Sequence, residues 1–189
     1  MCGRIGQTSE VARYAEPLGV RWRLPNTGPR YNLCPIQQAV VCRVNPETGE
    51  GSLDLLHFGL VPSFMPDKQK QANMIDAKSE TVATLPSYRV AFKKRRGLLP
   101  VDLFYEWRAE GKVKRPLLIR SQDQAPMMIA VIWEGWKDSP ESGYSGWYKT
   151  FSILTTTANS LMATIHDRMP VISDEQDWEA WLDEVEGDP

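Results

Sequence analysis

Cys2, directly behind the initiator methionine, is the residue of this chain best equipped to do chemistry unaided. A small residue at position 2 invites removal of Met1, which leaves an α-amine and a thiol on adjacent carbons. An α-amine has a pKa of about 7.7–8, against about 10.4 for a lysine, so a usable fraction is neutral at physiological pH and condenses with an aldehyde. The thiol then attacks the imine intramolecularly, at high effective concentration, and closes a five-membered thiazolidine. Such a terminus is a built-in aldehyde trap. The other reading of Cys2 is a tolerated small second residue, and position alone does not separate the two.

Two further polar groups stand out. Glu106 lies in Leu103-Phe104-Tyr105-Glu106-Trp107, among large hydrophobic neighbours, so its carboxylate is either exposed by strand alternation or buried with a purpose. Burial would raise its pKa and suit it to shuttle protons during imine formation and carbinolamine dehydration. His166 follows Ile165 and precedes Asp167-Arg168-Met169-Pro170. A histidine titrating near neutrality relays protons, while Asp167 and Arg168 could simply pin the loop. Each is also readable as a satisfied structural polar group.

The elements that must position these residues read as follows. Thr8 or Ser9 caps a short helix with Val11, Tyr14, Ala15 and Leu18 at helical spacing, ended by Gly19. A loop over residues 24–30 and an irregular segment over 31–35 lead to strands at 39–44 and 52–60, joined by a turn over 45–49. Phe64 sits at the tip of the loop that follows. Residues 77–85 and 88–94 read as short helices broken at Pro86, and strands are expected at 98–101, 103–108, 116–120, 127–133 and 148–155. Gly111 and Gly143 fall in the turns between them. An acidic helix over about 173–186 closes the chain, opened by a Ser173/Gln176 capping box, with Trp178, Trp181, Leu182 and Val185 as its apolar stripe. The fold class is α+β: a single domain over residues 1–189 around a strongly curved, mostly antiparallel sheet or barrel with short flanking helices.

Composition narrows the setting. A chain of 189 residues is large enough for a proper core without staples, and its longest apolar stretch, residues 126–133, is far short of a membrane span. No signal-peptide pattern opens it, and a cytoplasmic monomer, nucleoid-associated when engaged on DNA and without membrane contact, is expected. Three cysteines and two histidines offer no zinc set, so no metal or other cofactor is expected. Net charge is −2, yet residues 89–115 carry nine basic against three acidic side chains, and residues 174–188 carry eight acids and no base. That separation permits a local positive surface able to grip a few phosphates; a solvated face is the alternative.

Taken in order, Met1-Cys2-Gly3-Arg4, Tyr31-Asn32 with Pro35, Phe58-Gly59-Leu60-Val61-Pro62-Ser63, Ser79-Glu80-Thr81, Phe104-Tyr105-Glu106-Trp107 and His166-Asp167-Arg168-Met169-Pro170 resemble the SRAP family, the SOS-response-associated peptidases also described as abasic-site processing proteins. The likeness runs from residue 2 to about residue 183. It implies autocatalytic removal of Met1, covalent linkage of Cys2 to the ring-opened sugar of an abasic site in single-stranded DNA, and shielding of the lesion. Position by position, Cys2 matches the nucleophile, Glu106 the acid/base glutamate and His166 the histidine, while Arg4 and Thr155 match positions along the DNA channel. An imine alone would invite β-elimination of the 3′ phosphate; thiazolidine closure removes the iminium electron sink. Gly3, Arg4, Asn32, Pro35, Phe64, Met65, Lys78, Arg96 and Thr155 form the expected DNA-binding set.

The chain also departs from the family. Asp76-Ala77-Lys78 stands where Asn-Ala-Arg is usual. An ionised Asp76 accepts hydrogen bonds but donates none, repels phosphate and favours the protonated, unreactive amine; a protonated Asp76 in a buried site recovers the donor. Lys78 keeps a charge but loses bidentate phosphate recognition. Phe58, Phe64 and Met65 replace tryptophans common at the DNA surface, and the family's C-terminal Val-Ser or Val-Asn segment is missing. Two alternatives follow: a non-covalent single-strand DNA-binding module that has lost the chemistry through Asp76, and an N-terminal-nucleophile amidohydrolase, whose family also begins Met-Cys-Gly.

Overall fold

The computed structural model describes residues 2–21, 24–45, 48–68, 70–137 and 146–183. In chain order the strands are β1 (Arg4–Gln7), β2 (Arg30–Leu33), β3 (Gln38–Val44), β4 (Gly51–Phe58), β5 (Asp76–Lys78), β6 (Arg96–Val101), β7 (Leu103–Glu110), β8 (Val113–Ile119), β9 (Met127–Lys137), β10 (Trp147–Thr157), β11 (Arg168–Pro170) and β12 (Ile172–Ser173). The helices are α1 (Val11–Ala15), α2 (Arg89–Lys94) and α3 (Glu175–Leu182), none long and apolar enough to cross a membrane.

The central strands are apolar on both faces, and that decides the architecture. In β9, Ile129 and Val131 point into one core cluster, while Met128, Ala130 and Ile132 join two others on the opposite face. Such a strand needs cover on both sides. The sheet obtains it by curling: β10, β4, β3, β6 and β9 pair in turn and β9 returns to β10, closing a five-stranded barrel. The inner face fills with Val41, Leu56, Phe58, Leu99, Ile129, Val131, Phe151 and Ile153; the outer face is covered by α1, α2, α3 and the loop between β4 and β5. The fold is thus mostly β, and pairing is mostly antiparallel, with β10 parallel to both β4 and β5. Closure is tight where β3 meets β6: a Cβ on Gly97 would lie 2.8 Å from the Cys42 carbonyl oxygen. Gly59 turns the chain out of β4 at φ +112, where a Cβ would lie 2.4 Å from the Gln71 carbonyl oxygen.

An open antiparallel sheet, ordered β2-β1-β7-β8, lies across the barrel. Ile5, Leu33 and Phe104 bury against the barrel's interior cluster, each contributing about 1.5–3 kcal/mol by burial. Gln7, 4 % exposed, stitches the two sheets: its amide donates to the carbonyls of Val40 at 2.8 Å and Pro100 at 2.7 Å and accepts from the Val40 N–H at 2.8 Å. Asp102 fastens the far end of β1, accepting from the Thr8 and Ser9 N–H groups, both their hydroxyls and the Tyr14 hydroxyl. Burial pushes that carboxyl's pKa up, but the hydrogen bonds from Tyr14, Ser9 and Thr8 outweigh burial and hold it below the usual value.

Several expected elements are corrected. Thr8 and Ser9 do not cap α1; its N-cap is Glu10 without a side-chain bond, because both hydroxyls are committed to Asp102. Residues 31–33 are strand, pairing with β1. The helix expected over 77–85 is absent: β5 runs beside β10, and turns occupy the chain from there to α2. The register of Ile153 with Asp76 and Thr155 with Lys78 outweighs helix propensity. Asp174, not Ser173, is the N-cap of α3, with no side-chain cap bond. Helix α3 ends at Leu182; Gly143 and residues 184–186, with Val185, lie outside the described residues.

Replacing Gln7 by Leu should lower stability by about 2–4 kcal/mol in urea denaturation, since three hydrogen bonds are lost and the Val40 and Pro100 backbone groups stay buried. A variant as stable as wild type would mean that apolar contact alone seats β1.

Candidate functional site

The path of β1 brings Cys2 to the site. Arg4 pairs with Tyr105 and Ile5 with Phe104 in antiparallel register, so one further step sets Gly3 opposite Glu106. Cys2 is 1 % exposed and belongs to the interior cluster, which also contains Met162 and against which Ile165 and Met169 pack. Burial raises its thiol pKa far above the ordinary value, and the charges of Glu106 and Asp76 push it further the same way. The thiol is therefore held protonated at neutral pH, and becomes a nucleophile only when a base takes its proton.

Glu106 is 2 % exposed, which settles the choice left by strand alternation in favour of burial. Its Oε1 accepts from the Trp107 N–H at 3.2 Å. A cavity of about 350 Å³ is lined by Glu106, Trp107, Lys114 and His166, so the carboxylate and the imidazole share one space although 60 residues separate them in sequence. His166 is set there by a short 3-10 turn, Met162–Thr164, whose first N–H is capped by Asn159 Oδ1 at 2.9 Å, and by its own N–H donating to the Met162 carbonyl at 2.9 Å. Its Nδ1 lies 3.0 Å from the Arg168 N–H and 2.8 Å from Asp167 Oδ1. A lone pair on Nδ1 suits the first contact and a proton the second, so the tautomer of the ring selects between them.

Asp76 enters from the other side, on β5. Burial raises the pKa of its carboxyl and outweighs the cations Arg168 and Lys78, with Glu106 adding to the rise. Among the described residues its buried Oδ2 has no hydrogen-bond partner. Arg168 fixes the frame between these groups. Its guanidinium grips Glu80 with both nitrogens, at 2.6 and 3.0 Å, and donates to the Thr155 carbonyl at 2.6 Å. The clamp joins β11, β10 and the turn after β5. It holds the Glu80 carboxyl down at about 2, through the Arg168 hydrogen bonds.

The expected DNA-contacting residues divide. Arg4 is half-buried and donates to Asn32 Oδ1 at 3.0 Å; Gly3 and Pro35 are half-buried beside them, Lys78 is exposed, and Phe64 is 63 % exposed at its loop tip. Arg96 is corrected: it is 2 % exposed and donates to the carbonyls of Trp181, at 2.6 Å, and Asp183, closing the C-terminus of α3 where carbonyls and helix dipole favour a cation. Thr155 is also corrected, being fully buried behind Arg168 with its hydroxyl toward the Ala77 carbonyl at 3.4 Å. Phe58 stacks on Phe151 in the barrel core, and Met65 packs inward against Val61, Trp136 and Tyr148 rather than standing beside Phe64. The positive surface expected over residues 89–115 is reduced as well: Arg95 pairs with Glu134 at 2.7 Å, and Arg108 and Arg115 pair with Glu110 at 2.7 and 3.4 Å. Met1 lies outside the described residues.

Sequence reasoning missed two things. The Arg168–Glu80 clamp joins two motifs that stand far apart in the sequence, and Lys114 is one basic residue among many in its segment. Only the return of β8 along β7, with Lys114 opposite Ala109, brings it to the cavity.

With fold and site in hand, the class is defined: the chain matches the SRAP family, SOS response associated peptidase, over residues 1–189 and belongs to it. It is similar to the abasic site processing protein YoqW of Bacillus subtilis, 33 % identical over 192 residues that cover 100 % of this chain and 83 % of that one. It also resembles the abasic site processing protein YedK of Escherichia coli, at 27 % identity covering 96 % of this chain and 79 % of the relative. Among solved structures, a protein from Bacteroides thetaiotaomicron superposes with a TM-score of 0.85 at 23 % identity, covering 98 % of this chain and 83 % of that one. That likeness concerns the fold.

Asp76→Asn tests the site's electrostatics. A carboxyl whose folded pKa is raised favours folding fully below its unfolded value, 3.8, and that contribution is lost as pH rises through the folded pKa. The variant should therefore melt above wild type at pH 7–8, the difference shrinking as pH falls towards 3.8. Equal melting temperatures throughout would mean that the carboxylate is solvated.

Proposed function

We propose that this protein captures abasic sites in single-stranded DNA covalently, through Cys2. The observation that carries the reading is the convergence of Cys2, Glu106 and Asp76 at the head of β1, with Glu106 and His166 in one cavity. Membership of a family whose similar members are named abasic site processing proteins supplies the substrate class.

Met1 is removed, and the Cys2 amine adds to C1′ of the ring-opened deoxyribose. Glu106 gives a proton to the departing hydroxyl, and water leaves as the iminium forms. The thiol, kept protonated by burial, yields its proton to Glu106 or His166 as sulfur bonds to C1′. The sum is aldehyde plus aminothiol giving thiazolidine plus water. Once the ring closes, no iminium remains to accept electrons from C2′, and the 3′ phosphate stays in place. Removal of Met1 from its own chain is the only proteolysis this scheme requires. The protein acts as a cytoplasmic monomer in the reading proposed.

One observation favours a second reading, a non-covalent binder. The thiol is held protonated, and an acidic group stands where the family has an amide. Intact-protein mass spectrometry before and after incubation with single-stranded DNA containing one abasic site separates the two. The covalent reading expects loss of Met1 and a heat-stable adduct that Cys2→Ala does not form and that Glu106→Gln forms about 100-fold more slowly. Retained Met1 with no adduct would transfer the protein to the second reading, and restoration of the adduct by Asp76→Asn would name the cause.

A further inference from the structure

The cations around this site are mostly committed. Arg168 is held by Glu80 and Thr155, Arg4 donates to Asn32, Arg108 and Arg115 share Glu110, and Arg96 is buried against α3. Lys114 differs. It lines the cavity that holds Glu106 and His166, and among the described residues it has no ion pair or hydrogen bond. Its position follows from the hairpin of β7 and β8, which sets Lys114 opposite Ala109, two residues beyond Trp107. Its side chain is exposed and carries no partner of its own among the described residues, so its ammonium is available to an anion that arrives with the substrate.

The substrate assigned above brings such anions. An abasic nucleotide within a strand carries one phosphate on each side of its sugar, 5′ and 3′. Lys78 is exposed on β5, on the Asp76 side of the site, and Lys114 stands on the Glu106–His166 side. Resting on the reading of abasic-site capture, we infer that Lys114 binds the phosphate flanking the abasic sugar on the Glu106–His166 side, so that the sugar is drawn across Cys2 between two cations. Lys114 is a binding residue in this scheme, not a catalytic one. Its ammonium is a point charge on a flexible stem and sets the position of the strand without reading a base. Held this way, the phosphate also offsets the positive charge that Lys114 brings to the cavity.

The test measures non-covalent affinity in the full-length chain carrying Cys2→Ala, with single-stranded DNA bearing one abasic site and a neutral methylphosphonate in place of either flanking phosphate. Lys114→Ala should bind the normal strand about fivefold more weakly, a loss typical of one exposed ion pair. The slope of log affinity against log salt should fall by about 0.7, one phosphate's share on a single strand. One of the two methylphosphonates should erase the difference between the Lys114→Ala variant and its parent, and the other should leave it intact; Lys114→Arg should behave as the parent does. Lys112→Ala, the same charge lost from the hairpin turn outside the cavity, should show no such coupling. Equal binding by Lys114→Ala, or a loss indifferent to which phosphate is neutral, overturns the assignment. An adduct formed normally by the unmutated chain without this coupling sinks Lys114 alone; coupling without an adduct sinks the covalent reading and leaves Lys114 standing; no binding of abasic DNA overturns both.

Discussion

The seating of β1 between the barrel and β7 is the constraint on which the rest depends. A reactive terminus is usually the least ordered part of a chain. Here Ile5 is fully buried, Gln7 bonds to two barrel strands, and Asp102 gathers the residues immediately after β1. Between Cys2 and Gln7 the chain reaches a point fixed by backbone hydrogen bonds on both sides. Cys2, 1 % exposed, is held in that frame, and the cost of ordering the proposed nucleophile is met during folding. That preorganisation is the fold's contribution to the reaction.

Burial that fixes Cys2 also makes it unreactive on its own. Low polarity and two neighbouring carboxylates raise the thiol's pKa, and the same carboxylates favour a charged amine. The thiol is thus held in its unreactive, protonated form until a base takes its proton. Entry of a phosphate-bearing strand changes the balance. Each phosphate adds negative charge, which in the proposed scheme the exposed Lys78 and Lys114 meet while Arg168 stays clamped to Glu80. In the proposed scheme the arrangement favours an anionic aldehyde over a neutral one, because only the former engages Lys78 and Lys114 while it presents C1′.

Much of this was legible in the sequence, for identifiable reasons. Strands β3, β4, β6, β9 and β10 announced themselves through β-branched and aromatic runs bounded by glycine and proline, and their double-sided apolarity forced a closed sheet. Position singled out Cys2, and the apolar neighbours of Glu106 raised the burial that the structure shows. What failed did so because partners distant in sequence outweighed local signals. Arg96 sat in a run of four basic residues that reads as surface, yet the carbonyls ending α3, 85 residues away, draw it inward. Residues 77–85 read as a short helix, yet residues 76–78 pair with β10 and turns follow. Thr155 ends the buried run of β10 from Thr150 onward, and Arg168 closes over it.

Asp76 shows how a substitution can be absorbed by a fold and still alter its chemistry. Asp and Asn are nearly the same shape, so β5 keeps its register with β10 and the Arg168–Glu80 clamp is untouched. The difference lies in one proton. When that proton is present, Oδ2 becomes a donor in a position where the ionised group has no partner, and the sugar's hydroxyl or carbonyl oxygen can supply the acceptor. When it is absent, a buried oxygen is left without a donor and the amine of Cys2 gains a neighbouring negative charge that keeps it protonated. Burial, by raising the pKa of Asp76, moves the chain towards the first state, and the approach of a phosphate moves it further in the same direction. The site's own substrate therefore helps to restore the donor that an asparagine would have supplied outright.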